Sequence, residues 1–138
     1  VDPVTQGTVG AVLPQSLANR RTAVWATVCG LLAGLAPDLD VLIRSENDPL
    51  LFLEYHRQFT HSLIFIPVGG SLVGLLLYLL VGKKSGHSIT TTLIFSNLGY
   101  ATHALLDSFT TYGTVLLWPF NETRFARNLI SIIDPLFT

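Results

Sequence analysis

His103 and Asp107 stand four residues apart in the stretch THALLD. On an α-helix that spacing sets the two side chains about 40° apart on one face, one turn above the other. An imidazole nitrogen and a carboxylate so placed can chelate a single cation. They can equally hydrogen-bond to each other and do no more than tie a helix bundle together. The same face runs back through Ser96, Gly99 and Tyr100, a small and polar stripe suited to the inside of a bundle rather than to lipid. Two other stretches carry matching chemistry. LEYHRQFTHSLIF places Glu54, His56, Arg57 and His61 directly before an apolar run, where charged and titratable groups are costly. APDLD places Asp38 and Asp40 two apart behind Pro37.

Each stretch limits what its residues can do. His56 and His61 are five apart, roughly 140° around a helix, so one unbroken helix cannot aim both at one ion. A break is therefore expected, with a short helix from Asp48-Pro49 through LLFLEYH and Thr60 capping the long apolar helix, His61 lying in its first turn. Arg57 could hold a substrate phosphate or carboxylate, or snorkel to lipid headgroups, which its interfacial setting favours. Glu54 could act as a general base or simply face water. In an extended or turn conformation Asp38 and Asp40 point to opposite sides. One would then be a metal ligand and the other would orient a histidine, unless both only terminate a helix. Two carboxylates at a helix C-terminus oppose its dipole, which favours a cation nearby. A donor set of Asp and His suits a divalent metal ion: Zn²⁺, Mn²⁺ or Fe.

The elements that must position these groups are apolar. The chain has 138 residues, 49% hydrophobic and only 12% charged, with a mean hydropathy of +0.52. Soluble domains carry about 25% charged residues, so a soluble surface is hard to build from this composition. A net charge of -1 offers no basic footprint, and no nucleic-acid partner is expected. The single cysteine, Cys29, excludes an internal disulfide and reads as a small packing residue. Residues 62–82 are free of charge and long enough to cross a bilayer. Residues 89–107 are long enough but carry Ser96, Asn97, His103 and Asp107, and residues 22–43 are apolar only as far as Ala36. Residues 3–18, Gly-rich with Pro14 inside, read as a poor helix packed against the others. The expected fold is all-α: a polytopic transmembrane helix bundle with interfacial loops and short helices, forming one membrane-embedded domain over residues 1–138.

Arg20-Arg21 before the first good span and Lys83-Lys84 after the second place both pairs on the cytoplasmic side. Threaded that way, Asp38 and Asp40 end one span, His56 and His61 begin the next, and His103 and Asp107 end the third. All six then lie at the outer face, and they would still share a face if the topology were inverted. His87, in GKKSGHS, falls on the opposite side and reads as a solvated loop residue. Trp118-Pro119-Phe120 reads as an interfacial aromatic anchor. Asp-Pro pairs at Asp2, Asp48 and Asp134 are helix-start signals. The last lies close to Thr138 and the chain has no methionine, so a longer native chain, lacking its C-terminal part here, is expected.

The motifs DPVTQGTVGAVL, APDLDVL, LEYHRQFTHSL, HALLDSFTTYGTVLLWPF and SIIDPLFT together resemble the YdjM-like family of bacterial inner-membrane metal-dependent hydrolases. By motif match, the resemblance implies Asp38, Asp40, His56, His61, His103 and Asp107 as metal candidates. The family pattern also has a histidine where this chain has Gln6. The implied function is hydrolysis by a metal-activated water, near the membrane interface, of a phosphoester or lipid-linked substrate, with Arg57 stabilising charge and Glu54 as base. The alternative is a non-catalytic membrane protein, an interaction partner or small transporter component, with a structural His/Asp cluster. Membrane lipids are the expected surroundings and the bacterial inner membrane the expected location.

Overall fold

The computed structural model describes residues 1–42, 60–111 and 113–130, the side chains of 40–42 excepted. Among the described residues four helices make up the frame: α1 (Pro3–Leu17), α2 (Ala23–Leu35), α3 (Phe65–Leu77, continued by one π-helical turn, Tyr78–Gly82) and α4 (Ile89–Ser108). Among the described residues there is no strand, only isolated bridges pairing Thr110 with Ile130 and Thr114 with Phe125.

Local chemistry sets the ends of these helices. Asp2 caps α1, its carboxylate accepting from the Thr5 amide at 3.0 Å and the Thr5 hydroxyl at 2.7 Å, with Pro3 in the first helical position. The segment expected to be a poor helix is therefore a regular one of 15 residues. Pro14 inside α1 cannot donate to the carbonyl of Gly10. That carbonyl instead lies against Gly30 of α2, so close that a Cβ at Gly30 would collide with it. α2 stops at Leu35 and turns into a 3₁₀ segment, Ala36–Leu42, rather than the extended or turn geometry expected for APDLD.

Thr60 does not cap α3, which starts at Phe65 with Ile64 in the capping position and no side-chain cap. Pro67 explains the late start. Its ring disfavours a helical carbonyl at Leu63, which suits Pro67 to the first turn of the helix. The Leu63 amide bonds instead to the carbonyl of Leu116 at 2.9 Å.

α4 is the central helix, packed against α1, α2 and α3. Small residues bring the backbones close. A Cβ on Gly99 would stand 2.5 Å from the carbonyl of Gly30, and one on Gly70 would stand 2.6 Å from Asn97 Oδ1. The result inverts a soluble fold. The largest fully buried side chains include His61, His103, Gln6, Thr92, Thr110, Thr114 and Asp107, whereas Val68, Leu72, Leu76, Leu79 and Leu80 are exposed along α3. Phe65–Gly82 is long and apolar enough to cross a membrane, and only 22% of it is buried inside the protein, so it is not a core helix. α2 is apolar but shorter, and α4 is long but polar on its buried face.

Candidate metal centre

Three elements converge at one end of α4. The last two turns of α4 supply His103 and Asp107, both fully buried. The 3₁₀ segment after α2 supplies Asp38, and the turn before α3 supplies His61, also fully buried. Ligand-type atoms of these four residues all lie within 4.8 Å of one another. His61 Nε2 is 2.9 Å from His103 Nε2. Asp38 Oδ1 is 3.3 Å from His103 Nε2 and 3.8 Å from His61 Nε2. Asp107 Oδ2 is 3.4 Å from His61 Nε2 and 3.5 Å from His103 Nε2. Metal bonds of about 2.0–2.2 Å in a tetrahedron require ligand atoms about 3.3–3.6 Å apart; three of these five separations fall there, the imidazole pair is closer, His61–Asp38 is wider, and the set spreads to 4.8 Å.

The surroundings fix which atoms face inward. His103 Nδ1 lies 2.6 Å from the carbonyl of Gly34, which can only accept. Nδ1 therefore carries the proton, and a neutral His103 presents the lone pair of Nε2 to the cluster. His61 Nδ1 is in turn held by the Thr60 hydroxyl at 2.9 Å, and the Thr60 carbonyl accepts from Tyr100 at 2.9 Å, tying the turn to α4. Two imidazole nitrogens 2.9 Å apart either share one proton or face a cation, and the two carboxylates beside them favour positive charge at the centre. Asp38 is the outermost member, its side chain 25% exposed.

Of the sequence-derived candidates, Asp38, His61, His103 and Asp107 are thus brought together. His56, Glu54 and Arg57 lie outside the described residues, as does the side chain of Asp40 and as do the Asp48-Pro49 and Asp134-Pro135 pairs. Gln6, which stands where the family pattern has a histidine, lies beside the cluster. It is fully buried, and its Nε2 donates to Asp107 Oδ1 at 2.8 Å. The Val1 nitrogen reaches the same oxygen at 2.7 Å. Gly34 escaped the sequence reading, because its contribution is a backbone carbonyl. His87 is not simply solvated but half-buried and stacked on Trp25, ring centroids 4.8 Å apart.

Fold and site together define an all-helical membrane protein with a buried pair of histidines and a pair of aspartates in metal-binding geometry. The chain belongs to the YdjM inner membrane protein family, whose model matches residues 1–138. It is 29% identical to YfhP of Bacillus subtilis (strain 168) over 111 residues, covering 80% of this chain and 33% of that protein. It is 32% identical to the inner membrane protein YbcI of Escherichia coli (strain K12) over 99 residues, covering 70% of this chain and 54% of that protein. The chain thus spans between a third and about half of the length of these relatives. No solved structure matches it.

Proposed function

We propose that the protein is a membrane-bound, metal-dependent hydrolase acting on a phosphoester or lipid-linked substrate at the outer membrane interface. The observation that carries this is the buried cluster of Asp38, His61, His103 and Asp107, whose donor set and spacing suit Zn²⁺, Mn²⁺ or Fe. A divalent ion held there would lower the pKa of a bound water and polarise a phosphoryl oxygen. The protein's own part is to keep both Nε2 atoms aimed inward, through Gly34 and Thr60, and to leave one side of the cluster open at Asp38. Arg57 and Glu54, just before His61 in sequence, are assigned to substrate charge and proton transfer. Helices α2 and α4 would cross the bilayer beside α3, giving a multi-pass protein with its site among lipid headgroups.

One observation favours a second reading. Four protein donors can fill a tetrahedron, and a filled site is structural rather than catalytic. Detergent-purified, tag-free protein assayed against phosphomonoester and phosphodiester lipids in mixed micelles separates the two. Hydrolysis that disappears on chelation and returns with one metal supports the hydrolase. A protein that binds metal stoichiometrically, unfolds on chelation and cleaves none of these lipids is the non-catalytic membrane protein instead.

A further inference from the structure

Asp107 offers two oxygens, but they have different surroundings. Oδ2 faces the two imidazoles at 3.4 and 3.5 Å. Oδ1 is turned the other way and accepts from Gln6 Nε2 at 2.8 Å and from the Val1 nitrogen at 2.7 Å. The orientation of the Gln6 amide follows from that contact, because its oxygen set against a carboxylate oxygen at this distance would be repelled. Its other end, Oε1, is buried and has no hydrogen-bond partner among the described residues. A buried amide satisfied on one side only is costly, so the Nε2 contact with Asp107 is the one hydrogen bond that offsets its burial among the described residues. Gln6 reaches Asp107 because α1 lies unusually close to α2: a Cβ on Gly34 would stand 2.9 Å from the carbonyl of Gln6.

From this geometry we infer that Gln6 is a positioning residue that makes Asp107 a one-oxygen donor, so that the four described residues would each offer one atom and favour a tetrahedral ion. The inference rests on the metal assignment proposed above, and a tetrahedron filled by four protein atoms is the closed, structural site of the second reading. A carboxylate with both oxygens free can close on a metal through both and raise its coordination number, which suits Mn²⁺ and Fe better than Zn²⁺. With Oδ1 engaged by Gln6 and the Val1 nitrogen, that option is withdrawn, and loss of the Gln6 donor leaves only one of the two restraints. The Gln6 amide touches no metal position and takes no part in bond breaking.

The probe is Co²⁺ added to metal-free full chain in detergent, because tetrahedral Co²⁺ absorbs visible light several times more strongly than five- or six-coordinate Co²⁺. Wild type is expected to show the intense tetrahedral spectrum. Gln6→Met, which keeps the side chain's length and removes its donor, is expected to bind Co²⁺ still, with the visible absorbance reduced several-fold and Co²⁺ affinity lowered about 10–100-fold, the usual cost of losing a ligand-orienting partner. An unchanged tetrahedral spectrum in Gln6→Met overturns the inference while leaving the metal centre in place. If Gln6→Met does not fold, X-ray absorption of zinc-loaded wild type decides. Four light donors support the clamp, and five or six with a two-oxygen carboxylate overturn it. Folded wild type that takes up no Co²⁺ or Zn²⁺ fails at the earlier step and overturns the metal assignment together with this inference.

Discussion

The two ends of α3 each carry histidine, and they use it differently. Before α3, His61 meets His103 of α4 and two carboxylates in a fully buried cluster. After it, roughly 27 Å away by helix length, His87 lies flat on Trp25 with the rings 2° from parallel, while the Trp25 indole donates to Thr92 Oγ1 at 2.9 Å. At that second end no carboxylate is grouped with the imidazole among the described residues. A half-buried histidine at the end of a helix therefore does not by itself gather a set of metal-type donors. What distinguishes the first end is convergence from three chain segments, together with partners that fix the ring tautomer.

Substitutions at the two ends should separate the roles. The largest effect is expected for Asp107→Ala, which deletes a donor and leaves Gln6 Nε2 buried with nothing to donate to. Metal affinity measured by competition with a chromogenic chelator should fall by more than about 100-fold, and thermal stability of the metal-free protein should drop by about 1–3 kcal/mol. Thr60→Val keeps the shape of the side chain and removes the hydroxyl beside His61 Nδ1. The same titration should show metal binding weakened about 10–100-fold, and an unchanged affinity would mean that Thr60 does not orient the ring. Gly30→Ala tests the packing that delivers the Gly34 carbonyl. Its added methyl runs into Gly10 and Pro14, and an unfolding titration in detergent should register a loss of about 1–3 kcal/mol. His87→Ala at the opposite end should be the mildest, about 0.5–1.5 kcal/mol from the lost ring stack, with metal content the same as wild type. Loss of metal in His87→Ala would erase the distinction between the ends.

The parts legible in the sequence were those encoded locally or by threading. The four-residue spacing of His103 and Asp107, the buried stripe through Ser96, Gly99 and Tyr100, and the Asp2-Pro3 start of α1 all follow from helical periodicity and capping, and the structure has them. The meeting of Asp38 and His61 with that pair followed from counting alternate passes between basic ends. The start of α3 was misplaced because a Thr before an apolar run looks like a cap, whereas Pro67 delays the helix and the Thr60 hydroxyl turns to His61. The Gly34 carbonyl was invisible because every residue has one, and only its tertiary placement against His103 makes it specific. The resemblance marked Gln6 as the place of a family histidine, but not its contact with Asp107, which depends on the tertiary packing of α1 against α4.

The central claim is that motifs far apart in sequence build one metal centre, and elemental analysis tests it most directly. Full chain purified in detergent without a polyhistidine tag would be compared with His61→Ala and His103→Ala, each checked for folding by circular dichroism. The expected result is stoichiometric zinc, manganese or iron in wild type and its loss from both variants, since their Nε2 atoms stand 2.9 Å apart in one cluster. Well-folded wild type that holds none of these metals, even after they are added back, would contradict the claim and leave the histidines as hydrogen-bonding members of the helix bundle.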